Sequence, residues 1–515
     1  MVSSHWYGLP APGPATGQVV GFGTGELPPL PAPGADDAPE LDGSRLRRYV
    51  AEICEFSYSS RKSGERLWGR NAGSAAAEAA VGYVSGHLGD AGLTVRRIPI
   101  PFIRRFHPVD WRVRLRADAR LGEAEDITLR SAVPMEVLGA VDRRSGGTAD
   151  STPGSGTLTA RAVGGVVYVD DGADVSIATR NVAGKIAVMV VRPLPAAFYE
   201  PTREKVAALL EAGAAGVLAI YDVPGNLEYV GGLCPPDVPC FHLGGRDGAF
   251  LLAVIEKAAA QGCLESVQAD LSVQFEPPRE LTAHALFARV PGSEPGEAII
   301  VNAHSDAFLA GANDNATGMA ALIGLARYYA RRPPARDLCF YLSPGHHHAT
   351  GGMGALTSVL PGLPAGVTLA VNIEHIGQAG VYRSYIRRSD NGYGKLEADW
   401  VPTSWDSPGR EITVTHDLPL LKEIIAAAAV RRQYTGPAPV SHAVVGEPAQ
   451  LAALGVIGVQ GVETSPWFHT SGDEPAAISP HALQRAALFY RDVIDEAARH
   501  TRDEFIASAD QRKAG

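Results

Sequence analysis

The stretch VNAHSDAFLAGANDNATG, residues 301–318, constrains this chain more than any other. The apolar run Ala298-Ile299-Ile300-Val301 at its start reads as a short buried strand, and the segment from Gly318 to about Tyr329 as an apolar helix. Between them lie His304-Ser305-Asp306 and the turn Gly311-Ala312-Asn313-Asp314-Asn315. A strand that needs covering, followed by a helix able to cover it, is the repeating unit of an α/β layer. The polar residues fall where the strand ends, so one imidazole and two carboxylates can gather there around a cation. His304 can offer a ring nitrogen, Asp306 can accept the other ring N–H and fix the tautomer, and Asp314 can bridge two cations with its two oxygens.

The alternation continues downstream. Residues 338–343, 367–373 and 456–462 read as strands, and 417–431 and 481–498 as helices. This predicts an α/β fold with a mixed, largely parallel sheet covered by helices. Upstream, a helix runs from Leu41 to about Phe56, and a second follows Ser74, a good N-cap, with Glu78 in its first turns and Gly92 as its stop. Leu93 to Phe102 alternates as a half-buried strand does. Residues 120–280 have another texture: strand-like GVVYV at 165–169 and KIAVMVV at 185–191, a helix over 202–212 and a strand over 215–220 predict a β-rich module of its own. Residues 1–40 are rich in Pro and Gly and predict an extended arm. The expected division is therefore 1–40, 41–115, 120–280 and 281–505, with the second and fourth parts forming one discontinuous domain. The composition of residues 143–156 predicts a loop open to proteolysis.

Three further predicted strands end on chemistry-bearing residues. The strand 338–343 leads to His346-His347-His348, the strand 367–373 to Glu374, and the strand 456–462 to a segment carrying His469 and Asp473. Any one of these could be a solvated loop residue. Four strand tips in succession, each delivering a His, Asp or Glu to one edge of an open sheet, point to a metal site. The five cysteines, by contrast, are scattered; Cys234 and Cys240 are close enough in sequence to pair, but their spacing fits no standard zinc module.

At these residues the chain resembles the co-catalytic zinc aminopeptidases related to glutamate carboxypeptidase and glutaminyl cyclase. The resemblance covers about 45–110 and 281–500, and residues 120–280 look like the protease-associated domain that many members insert. It implies that His304 and Glu374 hold one zinc, that Asp314 bridges to a second, and that His469 and His347 hold the second. Asp306 matches the residue that supports the first ligand. One departure stands out. The family carries Glu-Glu where this chain has His346-His347, and the first of those glutamates is its general base. His347 can still ligate zinc, and a neutral His346 can take a proton near working pH. His348 is expected to face away.

The implied function is a zinc-dependent hydrolase, with one or two ions, that cleaves a peptide or small amide substrate with metal-activated water. His346 would shuttle the proton and Asp306 would support the site. Two alternatives use the same scaffold: cyclase or other acyl-transfer chemistry, and a catalytically silent binding protein. Trp467, Phe468 and the stretch Tyr382–Tyr385 read either as pocket lining or as core. A net charge of −10 argues against nucleic acid and anionic membrane as partners. No apolar run approaches the ~20 residues needed to span a bilayer, and the N-terminus has no apolar signal region. With few, scattered cysteines, this points to a cytoplasmic protein with reduced thiols. The oligomeric state is not encoded in any visible motif.

Overall fold

The computed structural model describes residues 38–511, apart from 118–125, 138–157, 170–179, 192–201, 224, 295, 348–351, 389–393, 407–409, 435–439, 442–445 and 464–466. The N-terminal arm up to residue 37, the loop 143–156 and His348 lie outside the described residues, as do the side chains of Tyr382–Tyr385.

Two eight-stranded sheets organise the chain. In the first, the order is Val95–Arg104, Arg279–Val290, Asp337–Ser343, Ala298–His304, Val367–Ile373, Gly458–Glu463, Arg410–Val414 and Val440–Ser441. The four central strands run parallel, and the strand next to them on each side, Arg279–Val290 and Arg410–Val414, is antiparallel to them. The sheet is thus mixed and largely parallel at its centre, as the alternating sequence predicted. Strands Ala298–His304, Asp337–Ser343 and Val367–Ile373 are buried along their whole length. Such strands read as unbroken apolar runs because helices cover both faces.

The covering helices follow local signals. Helix Gly43–Lys62 starts where the Asp42 side chain accepts the Arg45 N–H at 2.9 Å, and helix Ala75–Asp90 where Ser74 accepts the Ala77 N–H at 3.2 Å. With Thr317–Arg331, Pro419–Arg432 and Pro480–Ala497 they enclose a core around Leu46, Ile53, Met319, Ile323, Leu369 and Phe489.

The second sheet is built from strands between Pro108 and Phe275 and has its own apolar core. Strand Pro108–Arg116, which falls before the module in the sequence-based division, pairs into this second sheet beside Gln268–Phe275. The chain leaves and returns at one place: Arg104 and Arg279 are partners in the antiparallel ladder of the first sheet. Phe308, Leu309 and Ala310, from the first part, pack into the second core. The two sheets therefore meet where the strand Ala298–His304 ends. All five cysteines are buried free thiols, Cys234 and Cys240 among them.

Candidate metal centre

The strand Ala298–His304 lies between Asp337–Ser343 on one side and Val367–Ile373 on the other. The chain steps to one neighbour and later crosses to the opposite one, and the tips diverge there into a crevice. His304, His346-His347 and Glu374 all leave the sheet at this crevice, and Asp314 and His469 reach it from loops.

Asp314 is the hub, and the turn that carries it is bolted to its neighbours. The Asn315 side chain accepts the Gly318 N–H at 3.0 Å and donates to the Ile373 carbonyl at 3.0 Å. The Asn313 side chain donates to the Ile376 carbonyl at 3.1 Å. Asp473 accepts the backbone N–H of both Asn313 and Asp314, at 2.7 and 3.1 Å. Beneath the loop, the buried Arg70 guanidinium donates to the carbonyls of Ser305, Ala310 and Gly311. A rigid five-donor fork suits a loop whose carbonyls point inward.

The Asp314 carboxylate so held faces two groups of imidazoles. Its Oδ1 lies 3.1 Å from His304 Nε2 and 3.4 Å from His375 Nε2. Its Oδ2 lies 3.0 Å from His469 Nε2 and 3.4 Å from His347 Nε2. Glu374 Oε1 adds a second carboxylate, 3.1 Å from His375 Nε2 and 3.8 Å from His304 Nε2. Its other oxygen accepts from the Asn372 amide at 2.9 Å. Despite these short distances, both Asp314 oxygens and the Nε2 atoms of His304, His347 and His469 lack a partner in hydrogen-bond geometry, and all are buried. Leaving so many buried polar atoms unsatisfied is costly. Imidazole nitrogens and carboxylate oxygens are what Zn²⁺ takes, so the donor set fits that ion. The ligand-capable atoms fall into groups within 4.8 Å: His304, Asp314, Glu374 and His375; Asp314, His347 and His469; and His346, Glu374 and Glu447.

The electrostatics agree. Burial alone would raise the Asp314 pKa, but the surrounding imidazoles outweigh it and hold the carboxyl well below the usual range. Burial pushes the His347 imidazole down to about 3, against the pull of Asp314, so it presents a free lone pair.

Supporting contacts orient these side chains. His304 Nδ1 bonds the Asp306 backbone carbonyl at 3.1 Å, while the Asp306 carboxylate accepts the backbone N–H of His346 and of His347, each at 2.9 Å. Asp306 thus holds the histidine turn as well as the first imidazole. His469 Nδ1 bonds the Val230 carbonyl at 3.1 Å, a group contributed by the second sheet's part of the chain. From the same part, Glu136 is half-buried; burial lifts its carboxyl to about 7, with His469 and His346 near enough to pull it back. Phe468 stacks on His469 and lies against His375, so it lines the site, whereas Trp467 packs against the second core.

Two residues in this centre escaped the sequence reading. His375 stood next to Glu374 in plain view, but successive residues of an extended strand face opposite sides, so nothing in the sequence brings both to one site. Glu447 had no motif around it. It sits at the start of helix Glu447–Ala453, and its carboxylate bonds His346 Nδ1 at 2.7 Å. Burial opposes the charged form of His346, yet Glu447 and Glu374 outweigh it and lift the imidazole to about 9. His346 also stacks on His304 at 4.2 Å, and its Nε2 lies 3.6 Å from Glu374 Oε1.

Residues 285–382, which contain three of the four strand tips, match the family described as Peptidase family M28. The fold of this chain is similar to that of a Peptidase M28 precursor from Shewanella amazonensis, with a TM-score of 0.60 at 17% identity over 90% of this chain and 97% of that one. It is also similar to a zinc aminopeptidase from Bacillus subtilis, with a TM-score of 0.57 at 16% identity over 89% and 95% of the two chains. Among curated proteins, a vacuolar membrane protease of Schizosaccharomyces pombe is 34% identical over 97 residues, which are 18% of this chain and 11% of that protein.

That last relative corrects the expectation of a cytoplasmic protein, since its name places it at a vacuolar membrane. The features behind the expectation concern membrane crossing and disulfides, and neither determines a compartment. Among the described residues, no helix is long and apolar enough to cross a membrane.

Proposed function

We propose that the protein is a zinc-dependent hydrolase that cleaves an amide or peptide bond with water. The observation that carries this is the Asp314 carboxylate, whose two oxygens each face a separate pair of buried imidazoles. His304, Asp314 and Glu374 would hold one ion, and Asp314, His347 and His469 the other. Zinc held there would polarise the substrate carbonyl and lower the pKa of water. The family match supports peptide-like substrates.

The remaining work falls to this chain's own side chains. His346 receives the proton of the attacking water and returns it to the leaving amine. The pKa of about 9 belongs to the metal-free site; the positive charge of zinc held beside it would lower that value and leave His346 neutral. Glu447 would then fix its tautomer, because an Nδ1–H donated to Glu447 leaves Nε2 as the acceptor, and would stabilise the imidazolium once formed. This carboxylate–imidazole pair stands where the family pattern has a glutamate. Asp306 acts through others, holding His304 and the histidine turn. Phe468 and the Val230 segment shield the centre from one side. We also propose that the part between Pro108 and Phe275 is a protease-associated-like module, supported by its separate core and by its departure and return at paired residues.

The test is zinc content of purified protein together with a screen of aminoacyl anilides and short peptides. Turnover that a chelator abolishes and zinc restores supports the hydrolase. The His346 replacement keeps acyl transfer as the second reading, so the same screen includes N-terminal glutaminyl peptides. Bound zinc with cyclisation but no hydrolysis selects that reading. A full screen without turnover overturns both.

A further inference from the structure

His375 is the residue in this centre whose presence the hydrolase reading does not use. It follows Glu374 at the tip of strand Val367–Ile373 and has a φ of 50°. A left-handed conformation is unfavourable for a residue with a Cβ and persists where surrounding structure requires it. Here it has a clear consequence. Successive residues of an extended strand point to opposite faces, but this turn brings His375 back to the side of Glu374. Its Nε2 lies 3.1 Å from Glu374 Oε1 and 3.4 Å from Asp314 Oδ1, with its side chain 4% exposed. The ring of Phe468, 5.1 Å away, backs it.

We propose that His375 is a fourth protein ligand to the ion held by His304, Asp314 and Glu374, so that this position is closed. The second position, with Asp314, His347 and His469, keeps a place for substrate and water. The ligand-capable atoms of all four residues at the first position lie within 4.8 Å of one another, whereas the second group has three members. Four protein ligands are the mark of zinc sites that build structure, and three of sites that do chemistry. The two ions are then unequal: one fixes Asp314 and the strand tips, and the other meets the substrate. The inference rests on the zinc reading above. Its rival is an imidazolium at His375 that pairs with Asp314 and Glu374 and takes the place of one ion.

The experiment is a titration of the metal-free full-length protein with Co²⁺ and Zn²⁺, followed by metal analysis and by the visible Co²⁺ spectrum with and without azide. The wild type should take two equivalents, and azide should shift the bands of one and leave those of the other unchanged. His375→Asn, whose side chain tolerates the left-handed turn, should weaken one equivalent by more than about 100-fold, beyond what loss of an outer-shell partner costs. Circular dichroism of the metal-free variant checks its fold, and if it fails to fold, the azide titration of the wild type decides alone. Two equivalents whose bands both respond to azide overturn the proposal. So does a His375→Asn variant with unchanged affinities, or a wild type with one equivalent whose variant gains a second. Turnover enters none of these readouts. Failure here with two metals bound leaves the hydrolase reading standing, and absence of any bound metal sinks that reading first.

Discussion

At the scale of single residues, Asp314 and the His346–Glu447 pair carry the clearest expectations. Asp314→Asn keeps the shape but exchanges one of the two oxygens proposed to bridge the ions for an amide, a poor zinc ligand. Zinc content should fall to a small fraction of the wild-type value while circular dichroism stays unchanged; full metal content in a folded variant would contradict the bridging role. His346→Ala should lower kcat by about 10²–10⁴-fold, the usual worth of a positioned proton-transfer group, with zinc content unaltered. His346→Glu should recover part of the loss, because a carboxylate is the family's base. Glu447→Gln should slow turnover less than His346→Ala, since it removes only the partner that fixes the tautomer. Turnover indifferent to His346 would mean that the proton travels another way.

At the scale of elements, close approach and ion pairing fix how helices meet the sheet. Gly318 sits where helix Thr317–Arg331 begins, and a Cβ there would fall 2.2 Å from the Ile373 carbonyl oxygen and 2.4 Å from Asn315 Oδ1. Gly318→Ala should therefore destabilise by about 1–3 kcal/mol, read by denaturant unfolding, and weaken zinc binding because Ile373 precedes Glu374. Elsewhere, Asp492 on helix Pro480–Ala497 accepts from Arg432 Nε at 2.7 Å and from Arg431 at 3.2 Å, both on helix Pro419–Arg432. Burial opposes its ionisation, but the Arg432 and Arg491 guanidinium groups outweigh that and depress its pKa. In the unfolded chain it titrates near about 3.9. The stabilisation is thus present above that pH and is lost as pH falls through it towards the lower folded value. Asp492→Asn should cost about 1.5–3 kcal/mol at neutral pH, and the gap from wild type should narrow below about pH 4. A pH-independent gap would show that the loss is one of packing.

At the scale of the whole molecule, the second sheet is tied into the centre through the Val230 carbonyl on His469 and through Phe308, Leu309 and Ala310 in its core. Replacing residues 105–278 with a short glycine-rich turn between the paired Arg104 and Arg279 should lower zinc affinity by about 10–100-fold, the effect of losing an outer-shell partner. It should also lower stability, because those three apolar residues become exposed. Unchanged zinc affinity would show that the module is not needed to orient His469.

The sequence by itself determined the central sheet, its covering helices, and His304, Asp314, Glu374 and the histidine turn as residues of one edge. Buried parallel strands and capped helices write their periods and end signals locally, and parallel strands deliver their tips to a common edge. Asp306 was legible as a support for His304, but that its carboxylate also holds the backbone of His346 and His347 needed the folded loops. Glu447, Val230 and Arg70 were invisible as partners of the centre, because each meets it across more than a hundred residues of chain. His375 was visible yet unassigned: adjacent residues of an extended strand face opposite sides, and only the left-handed turn of the tertiary structure brings it to the side of Glu374.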